Sequence, residues 1–237
     1  MTENNNTQSL HTDSNESNAH TPFVYIDNSS LNNKKSLYSH SSYNPTSSFT
    51  NIGPKLNNTW RLCTLNTRGL NTPGKADNIL QFLTTQQTDF LCLTETKLKN
   101  QNAKFLFPKS QTYHHIYSTN DSHPFGSGIS IFIKQTWAKH IQKTHSFSGR
   151  LIHITFAFSG NIFIHLIGCY FPAALLGNNK HLKQKMLRYI NTIISTTELT
   201  IILGDFNEHF FEPPKNGITD LLNFKGYSEA VHQLFPQ

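Results

Sequence analysis

Apolar and polar positions divide the chain into two unlike parts. Residues 1–58 run without any hydrophobic period, and Tyr25, Tyr38 and Tyr43 are scattered through them. Beyond them, short apolar runs alternate with helical spacing. Trp60-Arg61-Leu62-Cys63-Thr64-Leu65-Asn66 predicts a strand, closed by a turn at Asn66-Thr67-Arg68-Gly69. Thr72-Pro73-Gly74-Lys75 then leads into a helix with Ile79, Leu80 and Leu83 on one face. The apolar run Asp89–Glu95 returns as a second strand, so residues 60–95 read as a β-loop-α-β unit. Ile129–Lys134 predicts a third strand, entered through Gly126-Ser127-Gly128, which reads as a tight turn more readily than as a phosphate cradle. Residues 151–158 and 161–170 alternate around Ser159-Gly160, a hairpin signature. A helix follows from Lys180 to Thr196, with Leu182, Met186 and Ile190 at helical spacing; Lys180, Lys183, Lys185 and Arg188 read as its solvated side more readily than as phosphate contacts. It feeds a strand through Ile201–Asp205, and the remainder reads as loop with a helical patch at Ile218–Phe224.

Two of these strands end in chemistry. Ile201-Ile202-Leu203-Gly204-Asp205-Phe206-Asn207 is an apolar run that stops in a carboxylate and an amide, with Gly204 read as the point of a sharp turn. Asp205 and Asn207 are two apart, so in extended geometry both side chains leave one face. Asp89–Glu95 delivers Glu95 in the same way. Ligand sites in layered α/β folds lie at the carboxyl ends of strands, so the two can converge on one crevice. Two acids and an amide there suit a hard cation such as magnesium, which takes oxygen ligands. The same Asp and Asn also serve as an ordinary strand-to-loop cap. His153 and His165, inside the hairpin strands, read as packed residues rather than ligands.

Composition changes the picture at three points. Asn, Ser and Thr make up half of residues 1–58, which predicts a disordered tail ahead of a folded domain spanning 59–237. The tail carries a net charge of −1 and the rest +7, so the basic balance sits on the folded part and suggests a polyanionic partner. Cys63, Cys92 and Cys169 lie far apart in apolar runs, without zinc spacing, and read as buried thiols of a reducing compartment. The first residues are polar, and no apolar run approaches the ~18 residues of a membrane span. The expectation is a soluble intracellular protein of nucleus or cytoplasm, with no membrane partner.

Five motifs in order now point to a family: Leu65-Asn66-Thr67-Arg68-Gly69-Leu70-Asn71-Thr72-Pro73, Leu93-Thr94-Glu95-Thr96-Lys97, Gly126-Ser127-Gly128-Ile129, Gly168-Cys169-Tyr170-Phe171-Pro172 and Leu203-Gly204-Asp205-Phe206-Asn207. Together they resemble the endonuclease/exonuclease/phosphatase superfamily, and within it the apurinic-type endonuclease domain of LINE-type non-LTR retrotransposons. The resemblance implies a four-layer α/β sandwich, two packed β-sheets flanked by helices. It implies metal-dependent hydrolysis of a phosphodiester by in-line attack of water, with Mg²⁺ or Mn²⁺ as cofactor and DNA as partner. Glu95 would then be the principal metal ligand and Asn66 would hold the metal's water shell or a phosphate oxygen. Tyr170 would hydrogen-bond the scissile phosphate. Asp205 would orient or deprotonate the attacking water, and Asn207 would position Asp205 and a phosphate oxygen. Arg150 matches an arginine common in relatives and is assigned no chemistry.

Relatives also carry a terminal Ser-x-x-Asp-(His or Tyr) motif that this sequence does not show. Neither His209 nor His232 occupies its place. The expectation is a domain incomplete at its carboxyl terminus, which leaves open whether the chain as given is an active enzyme. Two rivals to a retrotransposon DNA endonuclease stand beside it. One is a catalytically dead remnant that at most binds nucleic acid; the other is a phosphoinositide or sphingolipid phosphodiesterase of the same superfamily.

Overall fold

In the central strands of this chain every second residue faces one packed layer and the residues between face another. That is why they read as unbroken apolar runs. The computed structural model describes residues 23–27, 59–107, 110–173, 178–196, 199–208 and 217–227. Its strands are β1 (Phe23–Asp27), β2 (Thr59–Asn66), β3 (Phe90–Thr94), β4 (Tyr113–Ser118), β5 (Ile129–Lys134), β6 (Ile141–Phe147), β7 (Leu151–Phe158), β8 (Ile162–Tyr170) and β9 (Thr200–Asp205). The helices are α1 (Lys75–Thr85), α2 (Asn100–Leu106), α3 (Gln135–Ala138), α4 (Asn178–Thr196) and α5 (Ile218–Phe224).

One sheet has the order β1-β2-β3-β5-β4 and the other β6-β7-β8-β9. In each, one pair is parallel: β2 with β3, and β8 with β9. Trp60 and Leu62 of β2, Phe90 and Cys92 of β3, Ile164 and Leu166 of β8 and Ile201 and Leu203 of β9 fill the space between the sheets. The intervening Cys63, Leu91 and Leu93 face Ile79, Phe82 and Leu83 of α1. Ile167 and Cys169 face Met186 and Ile190 of α4 and Ile218 of α5. Helix, sheet, sheet and helix give the expected four-layer α/β sandwich, and the predicted β-loop-α-β unit is β2–α1–β3. Cys63, Cys92 and Cys169 are free and buried, as expected. No helix among the described residues is long and apolar enough to cross a membrane.

Four expectations need correction. The leading stretch is not uniformly without structure, because Phe23–Asp27 pairs antiparallel with β2, Phe23 opposite Cys63 and Asp27 opposite Thr59. Phe-Val-Tyr-Ile is a β-forming sequence set in a polar surround; the rest of 1–58 lies outside the described residues. Gly204 is not at a turn. It lies inside β9 with φ +134°, and a Cβ there would stand 1.8 Å from the Cys169 carbonyl oxygen of β8.

Asn207 is not extended either. It follows the strand at φ 49°, in the left-handed region that Asn tolerates better than most residues. Lys183 is not solvated: it is buried and ion-paired with Glu208, whose side chain is 2% exposed. The Glu208 carboxylate also accepts the backbone N–H groups of Ile218 and Thr219 and the Thr219 hydroxyl, tying the end of the Asp205 loop to the start of α5. Burial pushes its pKa up, and Lys183 with the α5 donors outweighs that and holds it below the ordinary value. Lys183→Met strands that carboxylate, and about 3 kcal/mol should be lost. Urea denaturation measures it; an unchanged midpoint would show that the pair contributes nothing.

His153 and His165 are packed as expected. Their rings meet at 2.8 Å (Nε2 to Nδ1), and the other nitrogen of His153 contacts the Tyr189 hydroxyl at 2.8 Å. Burial, followed by the charges of His165, His145 and Lys143, lowers the His153 pKa to about 4, so the ring is neutral.

Candidate active site

Both parallel pairs end at the same edge of the sandwich. Asn66 closes β2 beside Thr94, and Tyr170 closes β8 beside Asp205. The Asn66 carboxamide donates from Nδ2 to Asp205 Oδ2 at 2.8 Å, and its oxygen accepts the Arg68 N–H at 3.0 Å. The amide orientation follows from these partners, since the flipped form would set two acceptors against each other. Asp205 Oδ1 accepts the backbone N–H of Asn207 at 3.0 Å, so each carboxylate oxygen is held by a donor. The Asn207 side chain donates to the Phe171 carbonyl at 2.7 Å, which pins the chain leaving β9 to the chain leaving β8.

Glu95 sits one residue past β3. It has φ 55°, as has Lys97, and Arg68 across the edge has φ 51°. With Asn207, four non-glycine residues in the left-handed region at one edge mark a backbone shaped for something other than stability. Hydrogen bonds hold it there: Gly69 N–H and the Thr67 hydroxyl donate to the Glu95 carbonyl. Thr96 and Lys97 N–H donate to the carbonyls of Gly128 and Ser127. A Cβ on Gly128 would meet Thr96 Oγ1 at 2.1 Å, so Gly126-Ser127-Gly128 is there for close approach of two loops, in line with the turn reading.

Charges of both signs surround Glu95. Lys97 Nζ lies 2.8 Å from Glu95 Oε1. Lys75 Nζ donates to the carbonyls of Thr67 and Gly69, bracing the loop that follows β2. Burial is the main reason its pKa is lowered, with the neighbouring charges of Lys97 and Arg68 adding and Glu95 opposing. On the far side the Arg150 guanidinium stacks 4.5 Å over the Tyr170 ring. Burial, then the charges of Glu95 and Asp205 against that of Arg150, raises the Tyr170 pKa, so its phenol stays protonated and remains a donor.

The five residues singled out in the sequence therefore meet at one edge. Asn66, Asp205 and Asn207 share one hydrogen-bonded network, and the charges of Glu95 and Asp205 both act on the neutral Tyr170 phenol. Arg150 was undervalued, since an arginine at a strand entry gives no sign of stacking on a tyrosine two strands' length away. His209 and His232 lie outside the described residues. As donors, Glu95, Asp205 and the Asn66 oxygen are all hard oxygens, and a cationic ammonium already occupies a Glu95 oxygen. That fits a magnesium-like ion held by one or two carboxylates with water and substrate completing its shell. No group of three His, Cys, Asp or Glu among the described residues forms an all-protein metal cage.

Comparison with known proteins agrees with the architecture. The catalytic domain of Xenopus laevis APE2 is similar over 71% of this chain and 68% of its own, at 16% identity and a TM-score of 0.52. A 3′ phosphatase from Neisseria, NExo, bound to product DNA hairpin, is similar over 62% of this chain at 20% identity and a TM-score of 0.45; this chain spans 57% of it. The human Nocturnin catalytic domain is similar over 65% of each chain at 16% identity and a TM-score of 0.46. At 16% identity the likeness to the APE2 catalytic domain is one of fold. Comparison with curated protein sequences finds no match. The description of the endonuclease/exonuclease/phosphatase family fits residues 63–229, from β2 past α5, and the chain belongs to that family.

Proposed function

We propose that this chain hydrolyses a phosphodiester of DNA with the help of Mg²⁺ or Mn²⁺, as an endonuclease of the retrotransposon type. The observation that carries the reading is the Asp205 carboxylate, each oxygen of which is held by a donor, Asn66 Nδ2 on one and the Asn207 N–H on the other. The Thr67-Arg68-Gly69-Leu70-Asn71-Thr72-Pro73 stretch supports the retrotransposon branch, and the cations Arg68, Lys75 and Lys97 suit a phosphate backbone. Asp205 takes the proton of the attacking water, and its two donors fix which lone pair meets that water. Tyr170 donates its phenolic hydrogen to a non-bridging oxygen, with Arg150 holding the ring in place. Glu95 and the Asn66 oxygen would hold the cation, which offsets charge on the phosphate oxygens and the leaving group.

Nicking of supercoiled plasmid tests this. Mg²⁺-dependent nicking is expected from the unaltered chain, reduced by about 10²–10³-fold in Glu95→Gln. Calorimetric titration should show Mg²⁺ or Mn²⁺ binding lost in the same variant. Absence of nicking by the unaltered chain overturns the reading in favour of an inactive remnant, and unchanged cation affinity in Glu95→Gln moves the metal elsewhere.

A further inference from the structure

Phe125, next in the chain to Gly126, which approaches Arg150, is 81% exposed. It occupies the middle of a 3₁₀ turn, Pro124–Gly126. Leaving a phenylalanine in water forgoes stabilisation that burial would have supplied. The ring is nevertheless on a braced segment. Ser127 N–H donates to the Pro124 carbonyl and its hydroxyl to the His123 carbonyl, at 3.2 and 2.8 Å. The Ser127 carbonyl receives Lys97 N–H, and Gly128 N–H donates to the Gly149 carbonyl. Gly126, next to Phe125, faces the Arg150 guanidinium: a Cβ there would be 3.8 Å from Arg150 Nη2. One junction thus joins the exposed ring to Lys97, which pairs with Glu95, and to Arg150, which stacks on Tyr170.

We propose that Phe125 stacks on an unpaired base of the DNA strand next to the bound phosphate, giving the site a preference for single-stranded or locally opened DNA. This rests on the nucleic-acid reading above. Charge complementarity selects the occupant. Arg68, Lys75 and Lys97 surround the Glu95 side of the edge and would hold the backbone. An aromatic face at the rim has no anionic partner but matches the π-face of any base. Bases in a closed duplex already stack on their neighbours, so only an opened or single strand offers that face.

Binding without divalent cation, where no hydrolysis occurs, separates this from the catalytic reading. The probes are a thymidine oligonucleotide and an abasic phosphodiester strand of equal length. The unaltered chain should prefer the thymidine strand, and Phe125→Ala should lose that preference, binding the thymidine strand roughly tenfold more weakly and the abasic strand equally well. Phe224→Ala, which removes an equally exposed ring on α5, should leave the preference intact. Phe125→Trp should retain it and show fluorescence quenched by the thymidine strand only. A preference that survives in Phe125→Ala, or a tryptophan that both strands quench alike, overturns the inference while leaving the hydrolase reading in place. If the unaltered chain binds neither strand, the nucleic-acid reading falls and this inference with it.

Discussion

Asp205→Asn is expected to lower the nicking rate by about 10²–10⁴-fold, the range lost when a positioned general base is removed. The substitution is nearly isosteric, yet it cannot satisfy both present donors. Asn66 Nδ2 and Asn207 N–H now reach one oxygen each. An amide at position 205 has one oxygen, so one donor would face an NH₂ group, which costs about 1–2 kcal/mol. A thermal midpoint lowered by a few degrees with a rate loss far beyond it would place the effect in chemistry. Asn66→Ala should act through the same carboxylate. Added to Asp205→Asn, it should slow nicking little further, because the two belong to one network. A rate in Asp205→Asn close to that of the unaltered chain would remove Asp205 from the role of base.

Gly204→Ala is expected to cost about 4 kcal/mol and to lower the thermal midpoint by about 10 °C. Two effects combine there. The backbone at φ +134° is one that a side chain rarely adopts, and the new Cβ would overlap the Cys169 carbonyl oxygen at 1.8 Å. That atom is main chain of the neighbouring strand, so β8 and β9 must separate to relieve the contact. Asp205, the next residue, moves with them, and activity should fall with stability. Gly160→Ala is the control: its φ is +79° and nothing lies within 4 Å of the added carbon. It should cost only about 1 kcal/mol. Equal losses in the two variants would mean that backbone conformation, not the close approach of β8, sets the requirement for glycine.

What could be read in the sequence follows from how strands bury. β3, β5, β8 and β9 are packed on both faces for most of their length, so their apolar runs announce them. β6 (Ile-Gln-Lys-Thr-His-Ser-Phe) lies at an end of its sheet with five central residues exposed, and its sequence resembles a surface loop. β4 carries two histidines between tyrosines, and α2 buries only Ala103, so neither shows a usable period. At the site, the residue types were legible because carboxylates and amides at strand ends are conspicuous. Their connections were not. That Asn207 uses its backbone on Asp205 and its side chain on Phe171 depends on a left-handed φ that no spacing rule announces. Lys183 looked solvated because its partner Glu208 comes 25 positions later, from beyond β9.

The hydrogen bond between Asn66 and Asp205 closes a separation of 139 residues. Contacts of such reach form late, since the entropy of bringing distant segments together must be met before the contact returns anything. Each sheet can assemble its own parallel pair from nearer segments, β2 with β3 and β8 with β9. Neither sheet alone holds the site. The carboxylate that would activate water acquires its geometry only when the two halves dock, so the nascent chain would carry no competent hydrolytic centre while its sheets are still apart.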